Sequence, residues 1–84
     1  MLWYAVWFDY ETADKGDTEF LRMFRDEREA IEHVHNLRRE CVHVLGYPEN
    51  EWTPWGWNSD GYDSTLEDAP NSVFYTIRVT EIQS

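Results

Sequence analysis

The chain has 84 residues, and its 17 Asp and Glu side chains against 7 Lys and Arg give a formal charge of −10 at neutral pH. This length leaves room for a single domain, residues 1–84, which excludes an enzyme with separate catalytic and substrate domains. The acidic excess disfavours direct binding to nucleic acid or to an anionic membrane, and it attracts a basic partner. Aromatic residues make up 17% of the chain, which indicates a folded protein and not a disordered one.

The sequence predicts a cytoplasmic protein, in the host cytoplasm if a phage encodes it. The apolar run Leu2–Phe8 is far shorter than the roughly 20 residues that a membrane-spanning helix needs. No basic region precedes a cleavable apolar segment, so we expect no targeting signal. The single cysteine, Cys41, cannot form an internal disulfide, which is typical of a reducing compartment.

The first part of the chain predicts an antiparallel hairpin. Residues 1–11 are apolar at odd and even positions alike, which is typical of a strand buried on both faces. Turn-forming residues between Thr12 and Asp17 then separate this strand from a second one over residues 18–24.

A helix over residues 26–45 has the clearest local signal. Asp26 is followed three residues later by Glu29, the pattern of a capping box, and Gly46 supplies the stop at the other end. The apolar residues at helical spacing predict one stripe that faces the core. Its members are Ala30, Ile31, Val34, Leu37, Cys41, Val44 and Leu45.

Residues 46–71 interrupt this regular pattern. They hold three Gly, three Pro, three Trp and six acids, with no base. We interpret them as a long acidic, aromatic loop, with a short fourth strand near residues 55–58 as an alternative. Residues 72–82 alternate apolar and mixed side chains, which predicts the last strand.

These elements predict an α+β fold, a small two-layer ββαβ domain. Its antiparallel sheet has strand order 2-1-3 and packs on the long helix 26–45. Every second side chain of the first strand lies on the sheet face away from the helix. We expect the aromatic loop to cover that face as a lid.

Two groups of residues resemble metal sites, and we predict no metal or cofactor. His33, His35, Cys41 and His43 lie within eleven residues, but on one helix the histidines point in well-separated directions. Asn58 to Glu67 align in part with an EF-hand loop, although Gly56 stands where its first Asp belongs. We interpret that segment as a polar turn that caps its own backbone, and weak calcium binding there stays an open alternative.

The chain shows no catalytic motif, so we expect a non-enzymatic binding protein. The acidic loop is the candidate surface, because carboxylates suit a basic groove while Trp and Tyr dominate interface hot spots. The predicted partner-binding residues are Glu49, Glu51, Trp52, Trp55, Trp57, Asp60, Asp63, Glu67 and Asp68. A solvated acidic face that only keeps a small protein soluble is the simpler reading of the same charges.

In size, charge and the Glu49 to Asp68 cluster, the chain resembles the small inhibitors that phages encode against host nucleic-acid enzymes, such as anti-CRISPR proteins, uracil-DNA glycosylase inhibitors and restriction inhibitors. No motif of any one of these families is matched. The resemblance implies a nucleic-acid mimic that engages a basic, nucleic-acid-binding protein. We expect the chain itself to have no cofactor. Two alternatives remain: an aromatic platform for a glycan or another flat ligand, and a structural subunit or homodimer that acts through self-association.

Overall fold

In a computed structural model, residues 1–83 form a five-stranded antiparallel sheet with one long helix on one of its faces. The α+β class is therefore confirmed. The elements are β1 (Leu2–Glu11), β2 (Gly16–Phe24), α1 (Glu27–Leu45), β3 (Gly56–Asn58), β4 (Gly61–Asp68) and β5 (Val73–Gln83). Short 3-10 helices lie at Glu49–Glu51 and Ala69–Asn71. The predicted single domain ends at Ser84, which lies outside the described residues.

The strand order is β2-β1-β5-β4-β3, so the predicted three-stranded order 2-1-3 is wrong. The three predicted strands are neighbours, but β5 is not an edge. A second hairpin, β3–β4, pairs along it from Tyr62 opposite Val79 to Asp68 opposite Val73. This hairpin satisfies the backbone groups that an edge strand would leave open.

The prediction of one long loop over residues 46–71 is also wrong. The short strand that the sequence offered near residues 55–58 is β3, Gly56–Asn58. The strand β4, which follows it directly, has no counterpart in the sequence analysis. Before β3, Trp52 forms a single antiparallel bridge with Leu66, so the chain already runs beside the sheet there.

The helix begins and ends where its caps require. The Asp26 carboxylate accepts a hydrogen bond from the Arg28 N–H at 2.9 Å. Gly46 adopts φ 78° and donates its N–H to the Val42 carbonyl at 3.0 Å. One stripe member is misplaced, because Val44 is 79% exposed. No helix among residues 1–83 is long and apolar enough to cross a membrane.

The core lies between α1 and one face of the sheet. Ala30 and Val34 of α1 are fully buried there. From the sheet and the segment before β3 they meet Tyr4, Val6, Trp52, Leu66, Ile77 and Val79. The core uses the even positions of β1 and β4 and the odd positions of β5, as the alternation of a strand requires.

The other sheet face is open, and the predicted lid is wrong. The aromatic loop does not fold back over this face, because its strands extend the sheet and its rings lie on the helix side. We call this surface the open face. Its side chains come from the odd positions of β1 and β4, such as Trp7 and Asp63, and from the even positions of β5, such as Arg78.

Candidate functional site

A groove of about 490 Å³ lies on the open face. We call it the acidic groove. It is bordered by four carboxylates, and the one base in its lining is Arg78. The carboxylates are Asp9, Glu11, Asp60 and Asp63.

An ion pair forms the centre of the acidic groove. Arg78 Nε donates to Asp9 Oδ2 at 2.6 Å, with the two side chains 23% and 25% exposed. The guanidinium also lies over the Trp7 ring, 5.3 Å from its centroid, and the Trp7 indole N–H donates to Thr80 Oγ1 at 2.8 Å. Asp9 therefore neutralises the base, and the charge left to the groove is that of its other carboxylates.

Sheet pairing brings the other carboxylates together. Asp63 lies directly opposite Arg78 in the ladder, and Glu11 lies near the turn that joins β1 to β2. Glu11 and Asp60 are exposed, whereas Asp63 is half-buried and accepts a hydrogen bond from the Asn58 amide at 2.9 Å. The groove therefore has a hydrogen-bonded floor and exposed acidic walls.

The predicted partner-binding residues separate into distinct places. Asp60 and Asp63 line the acidic groove, and Glu67 lies further along β4 on the same open face. Glu49 and Glu51 lie instead in the 3-10 helix after α1, where Glu49 accepts from Arg38 Nη2 at 3.0 Å. The cluster that is continuous in sequence is therefore divided between the two sides of the molecule.

Two of the predicted residues are buried. Trp52 is 4% exposed and belongs to the core, and Asp68 is 6% exposed. Asn71 donates to Asp68 Oδ2 at 2.8 Å. Hydrogen bonds from Asn71 and Tyr47 hold the pKa of the Asp68 carboxyl below its usual value. Both side chains therefore pack within the fold and are not part of an exposed acidic surface.

The remaining loop tryptophans belong to an aromatic stack between α1 and the β3–β4 hairpin. Trp55 lies parallel to Tyr62, with ring centroids 5.1 Å apart, and also stacks on His35 at 4.8 Å. The Arg38 guanidinium lies 5.0 Å from the Trp55 centroid. Trp57, which is 47% exposed, tilts against Tyr62 at 5.4 Å. These contacts use the ring faces that an aromatic platform would offer to a ligand.

The helix histidines have separate surroundings. His33 packs against Phe24, with ring centroids 5.2 Å apart, while His35 Nε2 lies 3.0 Å from the Tyr62 hydroxyl oxygen. His43 is exposed, and Cys41 is half-buried against the core. Within residues 1–83 there is no group of three or more His, Cys, Asp or Glu side chains that could hold a metal ion.

The segment that aligns with an EF-hand loop is a β-hairpin. Asn58 Oδ1 accepts from the Asp60 N–H at 2.8 Å, and its amide donates to Asp63. Beyond the turn, alternation along β4 sends Asp63 and Ser64 to opposite faces of the sheet. The polar side chains here cap a turn, as a tight hairpin requires.

We expect acid to weaken the aromatic stack through His35. Burial, and then the nearby Arg38 and Arg39, lower the His35 pKa from its ordinary 6.5, while Glu49 opposes them. As the pH falls below 6.5, the unfolded chain takes up a proton that the folded chain resists, so the free energy of unfolding falls. The stability that neutral His35 contributes is complete above pH 6.5. It is lost as the pH falls toward the lower pKa that His35 has in the folded protein.

Urea unfolding between pH 7.5 and 5.5 checks this prediction. His35→Gln should flatten the decline in stability, and His43→Gln, on the exposed part of the helix, should leave it unchanged. Part of the decline should remain in both variants, because burial also lowers the pKa of His33. Equal pH slopes for the parent and His35→Gln would contradict the assignment.

The sequence analysis missed the charged groove residues on β1 and β5, namely Asp9, Glu11 and Arg78. The available signal was the alternation of β1, which places its odd-numbered residues Trp7, Asp9 and Glu11 on one face.

Comparison of the chain with protein-family models, with curated proteins and with solved structures finds no match.

Proposed function

We propose that this chain is a non-enzymatic binding protein whose acidic open face engages a basic surface on a partner protein. The observation that carries the proposal is the acidic groove. It gathers carboxylates from β1, β4 and the turn before β4 around one base, which is already paired. Such an arrangement attracts a cationic surface over distance and repels nucleic acid and anionic lipid.

The partner class that we propose is a nucleic-acid-processing or defence complex. Basic grooves on proteins serve mostly to hold nucleic acid, since phosphate contacts by Lys and Arg dominate that affinity. A folded protein that carries carboxylates on a concave face competes for such a groove by occupying it. In this role the chain acts as an inhibitor, in the manner of the small acidic phage proteins that it resembles.

The open face also supplies uncharged contact area. Phe74 is 39% exposed at the β5 end of this face, and Thr65 and Thr76 share a hydrogen bond of 3.0 Å across the groove floor. An interface needs such a desolvated centre, because exposed ion pairs alone add little affinity. The groove carboxylates therefore determine which charge the partner surface carries, and the uncharged floor provides the contact area.

A matched pair of triple variants tests the groove. The groove variant combines Glu11→Gln, Asp60→Asn and Asp63→Asn. The control combines Glu32→Gln, Glu40→Gln and Glu81→Gln, which are exposed elsewhere. Both change the net charge by the same amount, so a difference between them reports on position and not on total charge.

The probe is a ten-residue arginine peptide, titrated at two salt concentrations. We expect the groove variant to bind about tenfold more weakly than the parent at low salt, and the control to stay within about twofold. Affinity of the parent should fall as salt rises. Equal weakening in both variants would mean that the peptide senses only net charge, and the groove would lose its role.

The glycan-platform alternative has less support. Trp55 and Tyr62 are stacked on each other and on His35, so their ring faces are occupied within the protein. Trp57 alone of the three loop tryptophans is exposed. A change in Trp fluorescence with small glycans, lost in Trp57→Ala, would favour this alternative.

A further inference from the structure

The second feature of the molecule that suggests a partner is the free edge of β2. Within residues 1–83 this strand pairs with β1 alone, and eight of its nine residues are exposed. The opposite edge of the sheet, β3, is only three residues long. A long edge strand offers unpaired backbone N–H and C=O groups to another strand.

The charges along β2 are arranged in two halves. Asp17 and Glu19 lie in its first half, whereas Arg22 and the following Arg25 lie at its end. When such a strand pairs antiparallel with a copy of itself, the acidic half of each strand lies against the basic half of the other. These two acids and two bases balance each other on a chain whose formal charge is −10. Two copies therefore meet along this edge without like charges opposite each other.

An irregularity in β2 fixes which residues meet. Arg22 lies opposite Val6 and Phe20 lies opposite Trp7, so Leu21 is the extra residue of a bulge. Because of this extra residue, Glu19 and Arg22 share the helix side of the sheet, although they are three positions apart. In a regular strand they would lie on opposite faces.

We propose that two copies of this chain dimerise by antiparallel pairing of β2 with β2, around a twofold axis between Phe20 and Leu21. This register places Glu19 opposite Arg22 of the other copy, twice, with all four side chains on the helix side. On the open face it places Thr18 opposite the second Met23. Among registers that pair the strand across the bulge, the bulge selects this one, because pairings centred on Phe20 or on Leu21 would set open-face residues against helix-side residues.

The centre of the pairing is apolar. Phe20, Leu21 and Met23 are 49%, 36% and 40% exposed in the single chain, more than a core-facing strand would leave. Pairing covers part of this area and satisfies edge backbone groups at the same time. The twofold axis runs through the sheet, so both acidic grooves lie on the same side of a ten-stranded sheet made of two five-stranded halves.

Sedimentation equilibrium at 0.15 M salt tests the dimer, since this ionic strength screens repulsion between charges beyond about 8 Å. We expect a reversible dimer. Glu19→Arg and Arg22→Glu should each weaken it about tenfold, because each sets like charges opposite at two places. The double variant Glu19→Arg/Arg22→Glu should restore it. Glu32→Arg, on the exposed face of α1, matches the charge change of Glu19→Arg and should not weaken the dimer.

Several results would overturn the proposal. One is a monomer at the highest attainable concentration; others are a dimer indifferent to the single reversals, or a folded double variant that stays monomeric. Thr18→Cys/Met23→Cys provides a second, independent measurement. Mild oxidation should link two copies through these positions, with the parent, which keeps Cys41, as the control. Absence of linked dimer from the folded variant would contradict the register.

Discussion

Gly61→Ala should destabilise the protein by about 3 kcal/mol, a large part of the roughly 4–12 kcal/mol expected for a chain of this length. Gly61 begins β4 with φ 121°, a conformation that residues with a Cβ rarely adopt. A Cβ added there would overlap the Val79 carbonyl oxygen. Since the contact is with backbone, relief requires β4 and β5 to move apart.

Gly56→Ala is the matched control, because nothing lies within 4 Å of a Cβ added at Gly56. It should change the free energy of unfolding by less than about 0.5 kcal/mol. Thermal unfolding followed by circular dichroism measures both, and the Gly61 variant should melt at least about 10 °C lower. Similar melting of the two variants would show that the β4–β5 approach is looser than described.

The missed strand shows where sequence reasoning failed. Inward positions of β4 are Tyr62, Ser64, Leu66 and Asp68, of which two are polar, so the alternation that marks a strand is interrupted. Ser64 is nevertheless fully buried, since its hydroxyl donates to the Thr53 carbonyl at 2.6 Å and accepts from Arg38 at 3.0 Å. Hydrogen-bond partners distant in sequence satisfy these polar side chains in the core. No local sequence pattern therefore predicts that they are buried.

Local signals predicted other parts of the fold well. The caps at Asp26 and Gly46 depend on their own neighbours along the chain, so they identify the helix without tertiary information. The strand β1 was predictable because both of its faces are apolar over most of its length. The predicted lid was wrong because sequence shows that the loop rings need burial, but not which face of the sheet receives them.

The candidate site could be predicted only in part. The excess of acid was visible, and Asp60 and Asp63 were among the predicted residues. Their assembly with Asp9 and Glu11 depends on the register of β1 with β5 and of β5 with β4. Register is a property of the whole sheet, so charges distant in sequence come together without a local sign.

Arg38 explains how the hairpin is fixed to the helix. Its guanidinium donates to Ser64, to the Thr53 carbonyl and to Glu49, and it lies against the Trp55 ring. The base thereby joins α1 to the segment before β3 and to β4. One of the acids counted in the predicted binding cluster, Glu49, is partly neutralised by this contact.

Leu66→Ala should cost about 2–5 kcal/mol, because it removes a fully buried side chain at the centre of β4. Leu66 bridges to Trp52 and lies opposite Tyr75, so the cavity is enclosed by large rings that cannot easily close it. Val44→Ala, at a position of α1 that is 79% exposed, is the control and should cost less than about 1 kcal/mol. Urea unfolding gives both values.

Hydrogen exchange then distinguishes two consequences of Leu66→Ala. If β3 and β4 are part of one cooperative unit, amides of β1 and β5 should lose protection together with those of β4, because β4 covers one side of β5. Loss confined to β3 and β4 would mean that the hairpin opens alone over an intact β2-β1-β5 sheet. Cooperative loss is the expected result, since Leu66, Ile77 and Val79 belong to one core with the helix. A cost as small as that of Val44→Ala would contradict the placement of β4 in that core.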